Sequence, residues 1–209
     1  MKTFKQFLNE AQFKDIDAAV DEILHNCGPF LHESRRKGFL QRGMNGLDLT
    51  SWDDKAVPYV IKKVNKERVP RRGAGLNSIE HKVVDDFLFD KLGIRGRSQA
   101  MFCIGQSEKG TQKASQFGTP YLVFPIGDFK YVWSPEVFDI FGQLHYSSED
   151  PEEQKKDIEK WLESKKYRTT GLDQAVQSAN EIMIDCETYY VFSKYTWAHQ
   201  LRTKLGIGL

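Results

Sequence analysis

Apolar residues in this chain gather in bursts of two to five, closed for the most part by a glycine, a proline or a polar turn. Bursts that short build short strands, and the longer periodic stretches between them build amphipathic helices. Residues 38–44 read as a strand ending in a glycine turn, and 97–105 as a strand with an apolar end buried on both faces. Residues 121–125 and 129–133 flank Ile126-Gly127-Asp128 and read as a hairpin or a tight corner. Residues 181–184 and 189–192 read as two more strands. Helical spacing marks 12–27, which Gly28-Pro29 ends, and 77–92, which Gly93 ends. Asp150 before Pro151 starts a polar helix with a narrow stripe of Ile158, Trp161 and Leu162, read as a surface insertion. Leu172, Ala175 and Val176 mark a short helix. These elements follow no strand–helix–strand alternation, so the expected fold class is α+β, in one domain beginning near residue 12.

Charge and cysteine content exclude several classes of protein. Thirty basic residues against twenty-nine acidic argue against a dedicated nucleic-acid packer. Cys27, Cys103 and Cys186 are widely spaced and odd in number, which suggests reduced thiols. The five histidines form no ligand-spaced cluster, so a zinc site is not expected. No apolar run approaches the ~20 residues of a membrane span, and the N-terminus lacks the apolar stretch of a secretory signal.

The first eleven residues stand apart. Phe4, Phe7 and Leu8 fall on one face of a short helix, with Lys2 and Lys5 off it, and Leu8-Asn9-Glu10 precedes Ala11. One reading is a first helix docking on the domain. The segment also closely resembles the capsid-targeting peptide of internal head proteins of large tailed phages. That resemblance implies a peptide at 1–10, recognised by the prohead scaffold and cut by a phage protease after Glu10. It implies a domain at 11–209 that is carried in the capsid interior and then delivered to the host cytoplasm.

Three polar residues interrupt or end strand-like runs: Arg42 after Phe39-Leu40-Gln41, Ser98 before an apolar run, and Glu181 ahead of Ile182-Met183-Ile184. A carboxylate leading an apolar strand is costly if buried unpaired, and is otherwise a solvated edge residue. In order, Arg42-Gly43, Ser98-Gln99-Ala100 and Glu181-Ile182-Met183-Ile184 resemble the Arg/Ser/Glu signature of the ADP-ribosyltransferase family, spread over about residues 36–192. The resemblance implies a pair of small, roughly perpendicular β-sheets around a cleft, with N-terminal and peripheral helices. It implies NAD as substrate and a host protein or nucleic acid as acceptor. Glu181, Ser98 and Arg42 would be catalytic, and Arg42, Gly43, Ser98, Phe117 and Tyr121 would bind NAD, with Phe117 or Tyr121 stacking on nicotinamide.

The residue types suit that chemistry. A guanidinium grips a phosphate through two parallel hydrogen bonds. Cleaving the nicotinamide–ribose bond develops an oxocarbenium-like cation, which a fixed carboxylate stabilises. Two departures matter. Family members that modify arginine carry a Glu two residues before the catalytic one, where this chain has Ala179, and the second hydroxyl of Ser-x-Ser is replaced by Ala100. Arginine is therefore a doubtful acceptor.

Other readings stay open. The chain is alternatively a non-enzymatic internal head protein that binds a host defence factor or packaged DNA. Cationic residues 62–72, near Trp52 and Tyr59, are a solvated face or a polyanion-steering patch. Asp185 and Glu187 are turn residues or the start of a divalent-metal site.

Overall fold

The computed structural model describes residues 15–45, 78–141 and 143–208. The targeting-like peptide, Trp52, Tyr59 and the cationic stretch 62–72 lie outside the described residues.

Three of the helices start at a side-chain cap, those opened by Asp15, Ser107 and Asp150. Asp15 accepts from Ala18 N at 2.9 Å and opens α1 (Ile16–Asn26), which buries Ala19, Val20 and Ile23. Pro29 falls in the first turn of α2 (Gly28–Glu33), so the proline that helps end one helix starts the next. After β1 (Leu40–Met44), α3 (Ser78–Leu92) runs to Gly93, whose φ of 72° lets the chain reverse. Ser107 follows β2 (Met101–Gly105) and caps α4 (Glu108–Ser115) by accepting from Gly110 N at 3.0 Å. Beyond β3 (Thr119–Pro125) and β4 (Lys130–Trp133), Asp150 accepts from Glu152 N and Glu153 N, both at 3.0 Å, and opens α5 (Pro151–Ser164). The chain ends with α6 (Leu172–Ala175), β5 (Glu181–Asp185), β6 (Tyr189–Ser193) and α7 (Lys194–Leu205).

The strands pair antiparallel in the order β4-β5-β2-β1-β3-β6. The fold class is therefore α+β. Hydrogen bonds join all six strands into one sheet, but the join is uneven. Ladders β1/β3 and β3/β6 run five residue pairs each, and β2/β5 and β4/β5 four each. The central β1/β2 ladder has only two pairs, Leu40 with Gly105 and Gln41 with Ile104. Two three-stranded halves thus meet at a narrow seam, and Arg42 is the first residue of β1 past it.

The segment 126–128 is a corner, not a hairpin. Both edges of β3 are taken by β1 and β6, so β4 pairs with β5 at the far side of the sheet. Gly127 turns the corner with φ of 66°, and its N–H is satisfied by Asn26 O at 2.8 Å.

Two apolar clusters pack on the sheet: the larger draws side chains from all six strands, and the smaller backs only the β4-β5-β2 half. On the β1-β3-β6 side, Phe124 meets Phe30, Phe39 and Phe192 edge-to-face, at centroid distances of 5.9, 5.7 and 5.6 Å. Behind the β4-β5-β2 half, α3 and α5 pack through Val84, Leu88, Ile158 and Leu162 onto Val132 and Met183. α5 is therefore part of this layer despite its polar outer face. The three cysteines are buried.

Candidate active site

Glu181 begins β5 beside Ile104, next to the seam. Its side chain is only 10% exposed, so the carboxylate must find partners inside the protein. Arg97 Nη1 lies 3.5 Å from Oε1, and Ile140 N donates to Oε2 at 3.5 Å. The Glu181 backbone N–H donates to Phe138 O at 3.1 Å, so segment 137–141 lies directly over the carboxylate. That segment is tied from the other side by Lys113 of α4, a lysine that is itself buried. Its ammonium donates to Phe138 O, pairs with Asp139 at 3.1 Å, and sits 4.2 Å over the Phe138 ring.

Burial pushes the Glu181 carboxyl above the usual glutamate range. Arg97 opposes that rise, Asp139 adds to it and Lys113 opposes it. Burial likewise pushes the Tyr167 phenol far up, with the Glu181 charge contributing, so Tyr167 stays a neutral hydroxyl. The Tyr167 hydroxyl oxygen and Arg97 Nε are both buried without a hydrogen-bond partner among the described residues. A carboxylate with a raised pKa, beside a cation and a neutral hydroxyl, is a setting in which acid–base or charge-stabilising chemistry is feasible.

Arg97 reaches Glu181 because the turn before β2 folds back. Asp85, a 5%-exposed acid on α3, accepts from Arg97 N at 2.7 Å, Ser98 N at 3.1 Å and Ser98 Oγ at 2.7 Å. Arg95 also approaches Asp85, at 3.5 Å. The Arg97 guanidinium then lies 4.2 Å over the Phe102 ring, on the sheet face that carries Glu181.

The residues singled out from sequence do not converge in one place. Gln41, Ile104 and Glu181 lie in one cross-strand row and share a face. That face looks toward α4: Thr111 donates to Gln41 Oε1 at 3.1 Å, and a Cβ on Gly43 would meet Ala114 O at 1.9 Å. Gly43 is therefore needed so that α4 can lie against β1. Arg42, between Gln41 and Gly43, leaves the sheet on the opposite face from Glu181. Its Nη1 is buried without a partner among the described residues. Ser98 precedes β2, at the end away from Glu181, and its hydroxyl is committed to Asp85. Ser107, not Ser98, stands at the Glu181 end of β2. Tyr121 is fully buried in the core, so its ring packs there and cannot stack on a ligand, whereas Phe117 is 55% exposed after α4.

Sequence reasoning missed Arg97, Asp85, Lys113, Asp139 and Tyr167. Only Asp85 carried a readable signal, because it shares helical spacing with Leu88 and Leu92 and so puts an acid on an apolar stripe. Among the described residues no group of three or more His, Cys, Asp or Glu side chains is placed to hold a metal ion, so Asp185 and Glu187 gain no further ligand. No described helix is long and apolar enough to cross a membrane. Compared with known proteins, the chain matches no family model, no curated protein and no solved structure.

Proposed function

We propose that this protein is a phage head-packaged ADP-ribosyltransferase that enters the host with the genome and transfers ADP-ribose from NAD to a host macromolecule. The observation that carries the reading is Glu181, a carboxylate held out of water at the head of a strand and flanked by a guanidinium and a neutral phenol. In the reaction the nicotinamide–ribose bond breaks and its electron pair leaves with nicotinamide. The positive charge that develops on the ribose is stabilised by Glu181. The acceptor then forms the new bond to the same carbon and gives up a proton. The unpaired Arg42 Nη1, beside the parted edge of β1, supports a phosphate-binding role. The six strands form one sheet and not the separate pair that the resemblance implies; its two-pair seam is the feature nearest to that division.

This reading makes two demands. NAD has to pass round the parted edge of β1 to touch both Arg42 and Glu181. Segment 137–141 has to draw back from the carboxylate it covers. Those same features favour a second reading, a non-enzymatic internal head protein with this fold, because Glu181 is already satisfied by Arg97 and Ile140.

Label transfer from NAD into a bacterial extract tests the first reading. The wild type labels an acceptor and Glu181→Gln does not; equal labelling by the two removes the assignment. Calorimetry separates the readings, since no heat of binding at millimolar NAD leaves only the second. For the packaging claim, mass spectrometry of virions is expected to find a mature N-terminus at Ala11. An intact Met1 in virions removes the processing step, and absence from virions removes packaging.

A further inference from the structure

We propose that Arg97 is the positioning residue of Glu181, and that Asp85 acts on Glu181 only through Arg97, by fixing the turn that delivers the guanidinium. As a statement about the reaction this rests on the ADP-ribosyltransferase reading; as a statement about Glu181 it stands on geometry. Arg97 and Glu181 are 9% and 10% exposed, so water screens their attraction little. An arginine side chain is long and could adopt many directions, and here its direction is set at both ends. At the backbone end, Asp85 takes the N–H groups of Arg97 and Ser98 together with the Ser98 hydroxyl. At the far end, the Phe102 ring lies under the guanidinium. The lone pairs of Asp85 are therefore taken up by the turn, so Asp85 bears on Glu181 only by placing Arg97.

The other titratable groups facing Glu181 are Asp139, Lys113 and Tyr167. Lys113 and Asp139 pair with each other at 3.1 Å, so their charges largely offset. Tyr167 is neutral. That leaves Arg97 as the uncompensated charge that holds the carboxylate in place and favours its ionised form. The same geometry explains Ser98: its hydroxyl braces Asp85 at the end of β2 away from Glu181.

The Glu181 titration, followed by carbon NMR of glutamate-labelled protein, tests this directly. The resonance is assigned by its loss in Glu181→Gln. Arg97→Gln is expected to raise the pH of the transition by about one pH unit, and Arg97→Lys to restore most of it. Asp85→Asn moves the transition in the same direction, and adds nothing when Arg97 is already Gln. Should Asp85→Asn fail to fold, Ser98→Ala replaces it, with a smaller upward shift that also vanishes in the Arg97→Gln background. An unmoved transition in Arg97→Gln overturns the proposal, as does an Asp85 or Ser98 effect that persists without Arg97. Nicotinamide release from NAD is measured alongside. If the wild type releases none, the ADP-ribosyltransferase reading fails, and the titration still decides the role of Arg97.

Discussion

The two halves of the sheet use buried space in different ways. The β1-β3-β6 half is filled with aromatic rings meeting edge-to-face, and its strands are sealed by α1, α2 and α7. The β4-β5-β2 half gives one face to that same large core, while its other face carries a smaller apolar cluster and the buried charges Asp85, Arg97 and Glu181, with Lys113 reaching in from α4. An apolar core gains stability with every atom it removes from water. A buried ionic network gains little net stability, because desolvation opposes the attraction, yet losing one member is expensive. The contrast suggests a division of labour, with one half holding the fold and the other holding a charge ready.

That contrast can be broken by mutation. The largest expected effect lies in the aromatic half. Phe124→Ala should cost ~3–5 kcal/mol, since the ring is fully buried between three others. Urea unfolding measures it, and a cost below ~1 kcal/mol would mean that this half is not the fold's main support. Asp85→Ala should cost about 3 kcal/mol, because it strands the donors of Arg97 and Ser98. Unlike Phe124→Ala, it should also lower nicotinamide release in protein that remains folded. Equal effects of the two variants on release per folded molecule would erase the distinction between the halves.

The smallest effect is the most diagnostic. Burial raises the native Glu181 pKa above that of the unfolded chain, so the native state holds this proton more tightly. The resulting stability is whole below the ordinary glutamate value and is lost as pH rises through the raised one. Glu181→Gln cannot ionise. The wild type should therefore lose stability relative to Glu181→Gln as pH climbs from about 4 through the raised value. Urea midpoints of the two proteins across that range check the sign, and parallel curves would show that Glu181 titrates normally.

Most of the strands and the longer helices were legible because their apolar residues repeat at one clear period. The corner at Gly127 was legible as a turn but not as a crossing, since partner choice depends on which edges of β3 are free. Three helices were hidden. α2 begins at the Gly28-Pro29 pair that reads only as a helix end. α4 buries Gly110, Lys113 and Ala114, which leave no apolar stripe to read. α7 is anchored by Leu201 and Leu205 within a largely polar sequence. At the site, Glu181 could be read from its place ahead of an apolar strand. Its partner could not, because Arg97 reaches it only after a turn that Asp85 folds back. The faces of β1 were equally opaque, since they depend on where α4 lies.

The central claim is that the Glu181 carboxylate is the chemically active group of the charged half. Nicotinamide release from NAD by purified protein, with water as acceptor, tests it without knowledge of the host target. The account predicts release by the wild type and a drop on the order of 100-fold or more in Glu181→Gln, with that variant still folding cooperatively. Release that is undiminished in Glu181→Gln would contradict it.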